Sequence, residues 1–124
     1  MKKIHKNYWL LILIVFSLFI VAGCGPAITR EIKYEVTGTV SHADITYENF
    51  TGATDKLSNV DIPWSKLFTV TIEYDSSFRA YLMARNSTNG SITVNIYVNG
   101  ILVKTSTDSG SSQYVSISEY INNY

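Results

Sequence analysis

From Arg30 onward, apolar residues recur at every second position. Ile32, Tyr34 and Val36 alternate with Lys33, Glu35 and Thr37, and Ala43, Ile45 and Tyr47 alternate with polar or acidic neighbours. The same period runs through Phe68, Val70, Ile72 and Tyr74, through Phe78, Ala80, Leu82 and Ala84, and through Ile92, Val94, Ile96 and Val98. Side chains of an extended strand point alternately to its two faces, so this period describes strands with one face buried and one wet. No 3.6-residue period, helical cap or internal repeat follows Cys24. A sheet with one apolar face needs a second layer to cover it. The expected fold class is therefore all-β: a single antiparallel β-sandwich of seven to eight strands over residues 30–118, with a barrel as the alternative.

Turn chemistry divides the strands. Asp75-Ser76-Ser77, Asn86 to Gly90 and Thr107 to Ser111 read as turns, and Asn99-Gly100 is the strongest of them, because a type I′ hairpin turn needs positive φ at both central residues. Gly38 reads as a bulge or bend. Residues 49–59 are polar and read as a loop, and residues 119–124 read as a flexible tail. Pro63 has no donor N–H and belongs at a strand end or edge. Its neighbour Trp64 is expected to pack over one end of the sandwich with its indole N–H bonded to a carbonyl. Trp64, Pro63, Asn99 and Gly100 are thus assigned structural roles.

Ahead of the strands, Lys2, Lys3 and Lys6 precede an apolar run, Tyr8 to Gly23, that ends in small residues before the single cysteine, Cys24. A basic, apolar, small-residue order is that of a secretory signal. Val21-Ala22-Gly23-Cys24 resembles a bacterial lipobox, which implies removal of residues 1–23 and lipidation of Cys24, with residues 24–29 as a flexible tether. The alternative is an uncleaved signal anchor, although a spanning helix needs about 20 apolar residues. Either way the domain faces outside the cytoplasm, held to the cell membrane or, since Gly25 and not Asp follows the cysteine, to an outer membrane. Two or more acyl chains hold a protein on a bilayer durably.

Composition excludes several classes of function. Beyond residue 23 there are seven Lys and Arg against ten Asp and Glu, a net charge of −3, which offers no basic face to nucleic acid. One cysteine rules out an internal disulfide, and one histidine in the same region, His42, leaves too few ligands for a zinc site or a Cys/His nucleophilic pair. Asp44, Glu48, Asp55, Asp61 and Asp75 lack calcium-loop spacing. No Gly-x-Ser-x-Gly elbow accompanies His42 and Asp44. No catalytic residue, metal or cofactor is expected.

The segments Tyr34-Glu35-Val36-Thr37-Gly38, Ala43-Asp44-Ile45-Thr46-Tyr47, Ile62-Pro63-Trp64-Ser65 and Ile96-Tyr97-Val98-Asn99-Gly100 occur in an order that resembles the MmpS family. These are small membrane-anchored accessory proteins that work beside MmpL transporters of the resistance-nodulation-division type. The resemblance spans most of residues 34–117 and implies an immunoglobulin-like sandwich, no enzymatic activity and a transporter partner. Two departures stand out. The family usually keeps an uncleaved N-terminal helix where this chain has a lipobox, and it often has a late cysteine pair where this chain has Val94 and no partner.

By alternation Arg79, Tyr81 and Tyr97 point outward, so strands 78–85 and 91–98 are expected to expose an aromatic stripe suited to a partner. The leading expectation is a lipid-anchored, non-enzymatic sandwich that binds another envelope component, an MmpS-like transport accessory protein in its most specific form. The alternatives are a small-ligand or glycan binding module using Tyr81 and Tyr97, and an inhibitor of an extracellular hydrolase acting through segments 49–59 and 107–112.

Overall fold

The computed structural model describes residues 25–124, which form eight antiparallel strands and no helix. The expected leader, residues 1–23, and Cys24 lie outside the described residues. In chain order the strands are β1 (Ile28–Gly38), β2 (His42–Glu48), β3 (Thr54–Asp61), β4 (Trp64–Ile72), β5 (Ser77–Asn86), β6 (Gly90–Val98), β7 (Ile101–Gly110) and β8 (Gln113–Asn122). They assemble as two four-stranded sheets, β4-β1-β6-β7 and β3-β2-β5-β8, and the sandwich read from the sequence is the observed fold. Consecutive strands often change sheet. β1 and β2, β3 and β4, β5 and β6, and β7 and β8 each straddle the two layers.

The apolar phase of each strand supplies the core. Ile32, Tyr34 and Val36 of β1, Ile92, Val94 and Ile96 of β6, and Ala80, Leu82 and Ala84 of β5 are all inaccessible to solvent. An aromatic chain crosses the interior: Tyr34 lies 5.3 Å from Phe68 and 5.7 Å from Tyr47, Tyr47 lies 5.5 Å from Trp64, and Phe68 lies 6.2 Å from Phe78, all in tilted or edge-on geometry. Such arrangements add about 0.5–1.5 kcal/mol per pair beyond area burial. A buried phenol needs partners, and Tyr34 has two: its hydroxyl donates to Glu48 O at 2.7 Å and accepts from Tyr81 N at 3.3 Å. Burial holds the Tyr34 phenol well above its ordinary pKa.

The structural residues stand where turn chemistry puts them. Asn99 and Gly100 both have positive φ, 49° and 79°, and turn β6 into β7. Pro63 sits between β3 and β4, which are edge strands of different sheets on the same flank, and no ladder needs its missing N–H. Trp64 is half-buried and packs against the core through Tyr47, but the expected bond from its indole N–H to a carbonyl does not form among the described residues.

Three boundaries differ from the sequence reading. Residues 54–59 were expected in a loop but belong to β3, a polar edge strand in which Leu57 and Val60 alone lean on the core. β7 runs on through Gly110, leaving Ser111-Ser112 as the turn. The last strand continues past Ser118 to Asn122, which pairs with Ser77, so most of the expected tail is sheet. Tyr74, read as inward, falls just after β4 and is exposed.

Candidate functional site

With the even-numbered residues of β1 committed to the core, the odd-numbered ones face out and align with their neighbours across the sheet. Register places Leu67, Lys33, Tyr97 and Leu102 in one transverse row and Ser65, Glu35, Asn95 and Thr105 in the next. Glu35 is the polar centre of this face. Its Oε1 accepts from Asn95 Nδ2 at 2.9 Å and from the Tyr97 hydroxyl at 3.2 Å, and its Oε2 lies 3.5 Å from Lys33 Nζ. Thr105 Oγ1 extends the chain by donating to Asn95 Oδ1 at 2.6 Å. The Asn95 hydrogen bond, seconded by Tyr97 and Lys33, holds the Glu35 carboxyl below its ordinary pKa. Burial and then the Glu35 charge hold the Tyr97 phenol above its own. Lys33 Nζ also lies 5.2 Å from the Tyr97 ring centroid. A carboxylate whose pKa is held low by its donors is unsuited to general acid work near neutral pH.

At the border of this face lies β7, which has no buried residue and no strand on its outer side. It opens with Ile101, Leu102 and Val103, exposed by 69%, 48% and 39%. Register slips here, Leu102 facing Tyr97 and Lys104 facing Ile96, so Val103 is the extra residue of a bulge. The other three edges are guarded. β3 carries Asp55, Lys56 and Asp61. β4 begins beside Pro63 and carries Lys66. The first residues of β8 are tied to β7, Tyr114 N donating to Asp108 Oδ2 at 2.9 Å, and Glu119 lies further along. An apolar edge segment without charge is the arrangement that proteins otherwise avoid, because its free N–H and C=O groups recruit another strand.

The expected aromatic stripe does not form. β5 and β6 belong to different sheets, so Tyr81 and Tyr97 are on opposite outer faces of the sandwich. Arg79 and Tyr81 do come together, with the guanidinium 5.3 Å from the ring centroid. Arg79 is occupied by Glu48, however: its Nη2 and Nε reach Glu48 Oε1 at 2.7 and 3.2 Å, and this contact raises its pKa further. Because the Glu48 carbonyl also receives the Tyr34 hydroxyl, Arg79 serves to close the end of β2 over the core.

The opposite end of the molecule has a cleft of about 440 Å³ among His42, Asp44, Arg85, Gln113 and Tyr114. His42 Nε2 lies 2.9 Å from Asp61 Oδ1, and Arg85 Nε lies 3.6 Å from Asp44 Oδ2. Gln113 Nε2 donates to the carbonyls of Thr88, Gly90 and Gly110, which fastens two turns to β8, and its Oε1 has no partner among the described residues. The segments proposed for hydrolase inhibition are mostly strand, with only 49–53 and 111–112 left as connections.

Of the residues singled out from the sequence, Tyr97 is therefore part of the organised face, while Arg79 and Tyr81 belong to the other sheet. Glu35, Asn95 and the Ile101–Val103 edge escaped notice. The nearest sequence signal for them was the uncharged run that follows the Asn99-Gly100 turn.

No curated protein matches the chain. The family described as Mycobacterium membrane protein matches residues 22–117, more than three quarters of the chain and the whole sandwich up to the middle of β8. That span includes the Glu35 face and the open β7 edge, and with it the chain belongs to the Mycobacterium membrane protein family, of the MmpS type.

Proposed function

We propose that this protein is a lipid-anchored, non-enzymatic envelope protein that binds another envelope component, acting as an accessory to a transporter of the MmpL type. The observation that carries the reading is the open β7 edge. Ile101, Leu102 and Val103 combine exposed apolar side chains with unpaired backbone groups, beside the Tyr97–Lys33–Leu67 row. An extended apolar segment of a partner fits there by adding a strand, with main-chain bonds giving affinity and the outward row giving selectivity. Signal cleavage and lipidation at Cys24 supply the attachment, supported by the lipobox-like Val21-Ala22-Gly23-Cys24 and by membership of a membrane protein family.

Crosslinking in intact cells, followed by mass spectrometry of what the chain captures, tests both parts. The expected result is a membrane transporter crosslinked near Leu102 and a diacylglycerol mass on Cys24. Capture that survives Leu102→Asp unchanged overturns the edge, and an unmodified thiol at Cys24 overturns the lipid.

A glycan or small-ligand module is the second reading, and the cleft beside Tyr114 favours it, since an exposed tyrosine in one register row with Arg85 and Asp44 suits a sugar ring. Glycan-array binding that is lost on Tyr114→Ala would move the function to that end.

A further inference from the structure

The chain enters the sandwich at a corner where it is pinned. Gly25 lies under the Tyr74 ring so closely that a Cβ on it would fall 2.0 Å from Tyr74 Cδ2. One residue later, Pro26 O accepts from Asn123 Nδ2 at 3.0 Å, and the same amide donates to Ile72 O at 2.9 Å. Asn123 is fixed in turn, its carbonyl accepting from Asp75 N at 2.8 Å and its N–H donating to Ser76 O at 3.0 Å. The tether expected to be flexible is thus clasped by the folded body from Gly25 onward. In the sequence, Cys24 immediately precedes Gly25. Under the reading of Cys24 as the lipidated residue, the anchor is attached one residue before the clasp.

The same corner exposes two large aromatics, Tyr74 by 55% and Tyr124 by 85%. Tyrosine has an apolar body and a polar tip, and it concentrates at the headgroup level of membranes. Glu73 and Asp75 flank Tyr74, which makes the corner repellent to an anionic surface and compatible with a zwitterionic one.

We propose that the corner formed by Gly25, Tyr74, Asn123 and Tyr124 seats in the headgroup layer of a zwitterionic bilayer and fixes the orientation of the sandwich on it. This rests on the reading of Cys24 as the lipidated, membrane-attached residue. Because Asn123 bonds to both Pro26 and Ile72, the body cannot swing about its entry point without breaking the clasp.

The test uses full-length protein in dioleoylphosphatidylcholine vesicles with and without brominated phosphatidylcholine, whose bromines quench nearby tryptophan. Tyr74→Trp, Tyr124→Trp and, at the far end of β8, Tyr114→Trp are each referenced to the unsubstituted chain, with flotation of the vesicles measured on the same samples. Added emission at positions 74 and 124 is expected to fall about twofold in brominated vesicles, and at 114 not at all. A chain that floats yet shows no more quenching at 74 and 124 than at 114 overturns the corner contact alone. A chain that fails to float overturns the contact together with the membrane attachment beneath it.

Discussion

Asn99 and Glu31 exchange two hydrogen bonds across the first sheet: Asn99 N donates to Glu31 O at 2.8 Å, and Glu31 N donates to Asn99 Oδ1 at 2.9 Å. The turn residue thereby extends the β1–β6 ladder past Val98 while its backbone holds φ at 49°. Asn99→Ala loses the side-chain bond and puts a residue poorly suited to positive φ in the turn, for a combined loss of about 1–2 kcal/mol in urea unfolding. Asn99→Gly keeps the turn and loses only the side-chain bond, so it is expected to fall between the two.

Tyr34→Phe retains the ring and its aromatic neighbours but removes the hydroxyl shared by Glu48 O and Tyr81 N. Leaving two buried backbone groups short of a partner costs about 1–3 kcal/mol, so thermal unfolding should drop by several degrees with an unchanged far-ultraviolet spectrum. An equal melting temperature would mean that water replaces the hydroxyl.

Glu35→Gln tests the polar centre of the outer face through pH. The Glu35 pKa is lowered in the folded protein, so its ionised form contributes stability above the ordinary carboxylate value, and that contribution is lost as pH falls through the lower, folded value. Wild type should therefore exceed the variant in denaturant midpoint at pH 7, and the gap should narrow as pH falls below the ordinary carboxylate value of about 4.3. A gap that does not narrow at all on acidification would assign the effect to the amide geometry instead of the charge.

Leu102→Asp separates recognition from folding. Leu102 is half-exposed on an edge strand, so the substitution should change stability by no more than about 0.5 kcal/mol. Capture of the partner is expected to fall at least tenfold, as for loss of a contact of about 1.4 kcal/mol or more.

Much of the body was legible from alternation alone, because burying one face of a strand imposes a period of two that Ile32-Tyr34-Val36 and Ile92-Val94-Ile96 display without interruption. β3 escaped because an edge strand touches the core on one side only, and Thr54–Asp61 commits just Leu57 and Val60 to it. The second half of β7 is Ser, Thr, Asp and Gly, which carries turn chemistry even where neighbours hold it extended. Alternation also tells which way a residue points but not in which layer it stands, and so Tyr81 and Tyr97 were joined in a stripe that the change of sheet between β5 and β6 divides. The Glu35–Asn95 pairing depends on register between residues 60 positions apart, which no local pattern encodes.

The unequal guarding of the four borders limits how copies of this molecule could crowd together. A docked strand finds backbone groups free beside Ile101 and Leu102, whereas β3 meets a newcomer with Asp55, Lys56 and Asp61, and β4 with a proline and a lysine. Among the described residues β7 alone opens with an uncharged apolar segment, which limits side-by-side growth through the sandwich edges to a pair. A densely populated membrane surface can then hold this protein without seeding a fibril.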